Sequence, residues 1–394
     1  MTGTTASQSE LWQRAPFDAA FAFVGGWARY TASALRRGPS FSFGFVRDSG
    51  VWWSAATHRF EPTWSTPHTV AMRWPQAELL DFSEPIDAGV PTLILPPQAG
   101  HSSTIVDYSE NQSQVRTARS AGLGRTYVLS WLGATDETSD STIDDYIAIV
   151  DDAVAHLGGR VNLVGDCQGG WLAAIYAALR PEAVTCLVTA GAPIDFHAGE
   201  SAVQYWVQKM SGPRGTVDLY RWIVDAGKGT YRGANQIHGF KMLEPAEELK
   251  RLSDLWANIH DPEAVKRYTE FADWFEWGQD LPGAFYLWIV EHLFVKNELI
   301  AGELVVDGRK VDLSAIDCPV YMLAGAADHI TPPAQMFALA EHISTPSEHQ
   351  DQQTVPGGHL GLFMGRAALA GAWTDVFAAI AAQNIPQPAA ASEA

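Results

Sequence analysis

Between Val161 and Tyr176 the sequence reads VNLVGDCQGGWLAAIY, an apolar strand that runs through Gly165-Asp166-Cys167-Gln168-Gly169 into an alanine-rich helical segment. This is a strand, a tight turn and a helix in immediate succession, with glycine two residues either side of a cysteine. Such a turn is strained and crowded, so only glycine clears the neighbouring strand and helix at those two positions. The consequence is a sulfur exposed at a helix N-terminus, where the helix dipole and free backbone N–H groups favour the thiolate, the nucleophilic form. A small buried hydrophobe is the other reading of Cys167.

The surrounding pattern places this turn in a mostly parallel, doubly wound α/β sheet. From about residue 66, short apolar runs alternate with helical ones: Pro91 to Leu95, Thr126 to Ser130, Arg160 to Val164, Thr185 to Thr189 and Pro319 to Ala324 read as buried strands. Ser141 to Leu157 and Gly169 to Leu179 read as helices, the second stopped by Pro181. About 130 residues separate the last two strands, too many for one connection, so an inserted helical lid is expected there, carrying Trp206, Trp222, Trp256, Trp274, Trp277 and Trp288. The expected divisions are an aromatic arm at 1–65, a sheet core at 66–195 and 301–383, the lid at 196–300, and a disordered Ala/Pro-rich tail at 384–394. In the arm, Phe17 to Leu35 fits a helix. Its aromatic stripe serves either to pack on the main domain or to meet an apolar substrate or a partner helix.

A cysteine nucleophile needs a base and a group that orients the base, and in this kind of sheet they follow in the order nucleophile, acid, histidine. The loop after Pro319 to Ala324 supplies Asp328, and Pro356-Gly357-Gly358-His359 supplies the base. His329 competes as base but adjoins the acid; Asp195 is the rival acid, although a loop aspartate is more often a turn residue. The backbone N–H of Gln168 is one donor to an oxyanion. The second is expected from the loop after Leu95, where Pro96 and Pro97 have no N–H, so Gln98 or Ala99 remains. His101, Trp171 and His329 are further candidates for the substrate pocket. Cys186 and Cys318 sit in or beside strands and read as packing residues.

Charge and composition exclude other classes. With 26 Lys and Arg against 45 Asp and Glu, the net charge of −19 repels phosphate backbones and anionic head groups, which disfavours nucleic acid as a partner. The longest apolar stretch, Ala19 to Ala28, spans ten residues, half of the roughly 20 that a membrane span requires. A start without a secretory signal predicts a cytoplasmic location. Three widely spaced cysteines give neither a disulfide framework nor a zinc site, and the chain lacks HExxH, GxxxxGK[ST] and strand-GxGxxG-helix motifs. No metal and no resident cofactor are expected.

With these motifs in order, the chain resembles the polyhydroxyalkanoate synthases and the related Cys-type intracellular depolymerases of the α/β-hydrolase superfamily, and in particular a 3-hydroxyalkanoate synthetase-like branch. The likeness runs from about Thr66 to Ala378. It rests on Thr142 to Tyr146, Asn162 to Gly170, Ile289 to Leu299, Gly308 to Leu313, Cys318-Pro319-Val320, Asp328 to Pro333 and Pro356 to His359. The resemblance implies an α/β-hydrolase fold in which Cys167 carries an acyl chain, His359 activates thiol and hydroxyl, and Asp328 supports the histidine. It implies a synthase-type acyltransferase that uses (R)-3-hydroxyacyl-coenzyme A thioesters. A depolymerase or (thio)esterase with the same three residues, and a non-catalytic granule-associated scaffold, are the alternatives. Implied partners are a hydroxyacyl thioester or polyester, a second synthase subunit or a granule surface, and a second copy in a homodimer. Lid cations such as Lys228, Arg232 and Lys241 would offset the net negative charge for an anionic coenzyme A thioester.

Overall fold

The computed structural model describes residues 8–36, 41–84 and 89–384. Eight strands form one sheet: β1 Thr69–Arg73, β2 Ala77–Asp81, β3 Thr92–Leu95, β4 Thr126–Trp131, β5 Val161–Asp166, β6 Val184–Ala190, β7 Val320–Gly325 and β8 Gln350–Val355, in the order β1-β2-β4-β3-β5-β6-β7-β8. The β1–β2 and β2–β4 pairs are antiparallel and the remaining pairs parallel. One antiparallel edge followed by a parallel run, with the β3/β4 exchange, is the strand order of the α/β-hydrolase fold. The predicted fold class therefore stands.

The helices are α1 Gln8–Arg36, α2 Phe41–Thr57, α3 Gln114–Ser120, α4 Ile143–His156, α5 Gln168–Leu179, α6 Ala202–Ser211, α7 Asp218–Ala226, α8 Gly233–Leu243, α9 Pro245–Ala257, α10 Pro262–Glu276, α11 Gly283–Trp288, α12 Glu298–Ala301, α13 Pro333–Phe337, α14 His359–Met364, α15 Arg366–Ala368 and α16 Thr374–Asn384. Local chemistry explains the ones that bear on the site. Thr142 opens α4 with a capping box, its backbone N–H donating to Asp145 at 2.7 Å. Apolar Ile143, Tyr146, Ile147, Val150 and Val154 then fall on one buried stripe. Helix α5 is buried on all sides from Gly169 to Leu179, which its alanines permit because they let backbone approach the sheet closely.

The molecule divides into two compact units, one of residues 1–62 and 232–279 and one of residues 63–231 and 280–394. The aromatic arm thus shares a core with the middle of the insertion. Tyr30 stacks on Trp256 at 4.3 Å, and Trp27, Phe45 and Trp52 surround the same indole. Within this unit Lys241 is ion-paired with Glu248 and Glu276 at 3.2 and 2.9 Å. The insertion's tryptophans have separate environments: Trp256 and Trp274 are buried in the first unit, Trp288 lies 6.2 Å from Trp171 in the second, and Trp222 is exposed. The tail after Asn384 lies outside the described residues. Among the described residues no helix is long and apolar enough to cross a membrane.

Candidate functional site

The end of β5 and the start of α5 hold Cys167 with φ 49° and ψ −114°, a left-handed conformation that a residue with a Cβ adopts only when its surroundings enforce it. The enforcement is visible. The Cys167 N–H donates to the Ala190 carbonyl of β6 at 2.8 Å, and its own carbonyl accepts the Gly170 N–H at 3.0 Å. A Cβ on Gly165 would strike the Gly169 carbonyl, and one on Gly169 would strike the Leu95 carbonyl at the end of β3. The two glycines therefore fix both the turn and the distance between α5 and the loop after β3. The sulfur is partly exposed at the head of α5, where the first N–H groups, including that of Gln168, have no intrahelical acceptor.

His359 is the first residue of α14, behind the loop that follows β8, and its Nδ1 lies 2.7 Å from Oδ2 of Asp328. Asp328 stands on the turn after β7. That turn and the histidine loop are joined by backbone bonds, Ala326 N–H to Val355 carbonyl at 2.8 Å and Ala327 N–H to Gly357 carbonyl at 2.9 Å. The other carboxylate oxygen of Asp328 accepts the N–H groups of Ile330 and Thr331 at 2.9 and 2.8 Å. Burial alone would lower the His359 pKa, but the charges of Asp328 and of the Cys167 sulfur, with hydrogen bonds to both, hold it well above its ordinary value. The structure thus brings Cys167, His359 and Asp328 together across three strand ends.

The loop after β3 is fastened at several points. Trp131 Nε1 donates to the Pro96 carbonyl at 2.9 Å, and Gln98 Nε2 donates to the Tyr146 hydroxyl at 2.6 Å. His101 Nδ1 lies 3.2 Å from the Ala99 carbonyl. Gln98, Ala99 and His101 are all buried. Sequence reasoning named the loop but did not single out Trp131 or Tyr146 as its supports, since contacts between residues this far apart in the chain leave no local pattern. Trp171 is buried against Phe285 and Trp288, in the aromatic wall that continues from Tyr146. His329 follows the acid, its carbonyl accepting the Ala202 N–H at 2.8 Å.

The rival acid is otherwise employed. Asp195 Oδ1 accepts the Asn297 amide at 2.7 Å and the His197 N–H at 3.0 Å, a local brace between the chain after β6 and the turn before α12. Cys186 and Cys318 behave as packing residues: burial pushes both thiols up, with Cys318 adding to the shift at Cys186 and Asp317 to that at Cys318. Asp166, inside the elbow, was passed over in the sequence although its letter is plain there; it is fully buried, directly before Cys167.

Residues 78–385 match the family described as "Protein of unknown function (DUF3141)". The poly(3-hydroxyalkanoate) polymerase subunit PhaC of Allochromatium vinosum is 30% identical over 271 residues, covering 66% of this chain and 72% of that protein. The chain belongs to both groups, the DUF3141 family and the poly(3-hydroxyalkanoate) polymerase family. The polymerase subunit of Thiocystis violacea is 28% identical over 270 residues, again 66% of this chain and 72% of the relative. Among solved structures, a monoacylglycerol lipase of Paleococcus ferrophilus is similar with TM-score 0.48 and 17% identity, covering 77% of this chain and 99% of its own. The polymerase-family membership and the α/β-hydrolase sheet together make the chain an enzyme of that superfamily.

Proposed function

We propose that the protein is an acyltransferase of polymerase type, moving (R)-3-hydroxyacyl groups from coenzyme A thioesters through an acyl-Cys167 intermediate. The observation that carries this reading is the cysteine at the strained elbow beside a buried histidine that a fixed carboxylate keeps protonated. Kinship with poly(3-hydroxyalkanoate) polymerase subunits supports this choice of substrate class.

The thiolate of Cys167 attacks the thioester carbonyl, and the negative charge that develops on oxygen meets the Gln168 N–H and an N–H from Gln98 or Ala99. Collapse expels coenzyme A thiolate, which takes the proton of His359 and leaves the acyl group on sulfur. The neutral imidazole then accepts the proton of an incoming 3-hydroxyl, whose oxygen attacks the acyl-cysteine carbonyl. The new ester departs, and Cys167 returns as the thiolate beside imidazolium. If water replaces the hydroxyl, the same residues give a hydrolase, so exclusion of water decides the outcome. In this reading the protein works on polyester at a granule surface.

The test is to incubate the protein with (R)-3-hydroxybutyryl-coenzyme A, follow thiol release, and size the acyl products, with Cys167→Ala as control. Long oligomers or polymer that the control does not make are expected. Free 3-hydroxybutyrate alone would replace transferase by hydrolase, and no turnover with an inert Cys167 would favour a scaffold.

A further inference from the structure

Asp166 closes β5 one residue before the nucleophile, and its position is unusual for a carboxyl group. It is completely buried, and among the described residues neither carboxyl oxygen has a hydrogen-bond partner. Gln114 of α3, itself buried, is the polar side chain that faces it, and this single amide contact favours the charged form only in part. His359 of α14 is the cation within electrostatic reach, with Asp328 behind it. The registered neighbours on the flanking strands are apolar: Ala190 of β6 opposite Asp166, and Leu95 of β3 opposite Gly165. A carboxylate in such a place has too few hydrogen bonds to repay its lost hydration, so the group sheds its charge instead.

We propose that Asp166 is a positioning residue of the site, carried as the neutral acid so that no second negative charge stands behind Cys167 where the anionic tetrahedral intermediate forms. This rests on the reading of Cys167 as nucleophile. Burial, only partly offset by Gln114 and His359, pushes the Asp166 pKa up to about 8, so the acid form prevails at neutral pH. Above that pH a buried carboxylate one residue before the nucleophile would oppose the oxyanion, poorly screened in the dry interior. It would also bind the proton of His359 more firmly, against the release that expulsion of the leaving group requires.

The test compares wild type with Asp166→Asn, which keeps the shape and cannot ionise. The readout is the rate at which p-nitrophenyl butyrate acylates Cys167, as p-nitrophenolate leaves, with Cys167→Ala subtracted at each pH. The wild-type rate should fall about tenfold per unit once pH exceeds the Asp166 pKa, with no such limb in Asp166→Asn. A second readout is thermal stability. A carboxyl whose pKa is raised by folding costs nothing below its unfolded pKa of about 3.9 and costs progressively more up to its folded value. Asp166→Asn should therefore gain in Tm over wild type as pH rises from 5 to 8.

Identical alkaline limbs in the two proteins, or a Tm difference independent of pH, would overturn the inference. If neither protein is acylated while the Tm gap still opens, the nucleophile reading fails and the catalytic role falls with it. Should Asp166→Asn not fold, the wild type must show the infrared carbonyl band of a protonated carboxyl, lost as pH passes about 8; its absence at neutral pH would be decisive against the proposal.

Discussion

His359 Nδ1 lies 2.7 Å from Asp328 Oδ2, and the second oxygen of the same carboxylate is occupied by the N–H groups of Ile330 and Thr331. The acid is therefore anchored on one side and directed at the imidazole on the other. Asp328→Asn keeps the anchor, because an amide oxygen still accepts two N–H groups, but turns an NH2 towards Nδ1 and favours the wrong tautomer. Acyl transfer should fall by about 10⁴-fold, the size seen when the same change is made in a serine protease triad. Thioester turnover measures it. A loss under tenfold would move the orienting role elsewhere, and Asp195, bonded to Asn297 and His197, is poorly placed to inherit it.

The three cysteines should separate by reactivity. Cys167 is partly exposed at a helix head, whereas burial holds the thiols of Cys186 and Cys318 in the protonated form. Iodoacetamide near neutral pH should label Cys167 well before the other two, followed by peptide mass spectrometry of the native protein. Equal slow labelling of all three would remove the activated nucleophile.

The pH dependence of stability follows from His359. Its pKa is raised in the folded state, so the His359–Asp328 pair contributes fully below the unfolded value of about 6.5 and is lost as pH climbs through the folded value. A charged hydrogen bond of this kind is worth about 1.5–3 kcal/mol. His359→Gln should cost about that much at pH 6 and progressively less as pH rises, measured by urea unfolding. A cost that grows with pH would contradict the protonated imidazole.

How much of this was legible beforehand varies with the physics of each part. Strands β3 to β7 announced themselves because both faces are covered and their residues are predominantly apolar. Strands β1 and β8 did not, since as sheet edges they carry polar residues, as in Gln350-Asp351-Gln352-Gln353. Cys167, Asp328 and His359 were readable from the turn chemistry around them and from chain order. The hold of Tyr146 on Gln98, and the partnership of Trp256 with Tyr30, join residues distant in sequence by packing alone, which no local pattern encodes. Helix α2 falls within the helical arm expected at 1–65, although its glycines and aromatics give too weak a helical period to set its bounds.

The loop after β3 depends on one glycine of the elbow. A methyl group on Gly169 would collide with the carbonyls of Leu95 and Pro96, and both belong to backbone that cannot swing aside. Gly169→Ala should therefore displace α5 from β3, separating the Gln168 N–H from those of Gln98 and Ala99. Overpacking of this kind costs about 1–3 kcal/mol in stability. Loss of one oxyanion donor lowers kcat by about 10²–10³-fold. A variant with lowered kcat but an unchanged rate of Cys167 alkylation would assign the defect to the oxyanion; wild-type kcat would remove the β3 loop from the site.

Trp256 tests the arm. Its indole stacks on Tyr30 at 4.3 Å and meets Trp27, Phe45 and Trp52 edge-on or tilted, all within residues 1–62 and 232–279. Removing so large a buried ring costs about 3–5 kcal/mol, comparable with the whole stability of a small unit. Trp256→Ala should open this unit to limited proteolysis, with cuts confined to those residues. The residues around Cys167 belong to the other unit, whose sheet and core contain none of these rings. Cys167 should then alkylate at the wild-type rate in the intact variant. Uniform proteolysis of the whole chain, with loss of selective labelling, would mean that the two units fold only as one.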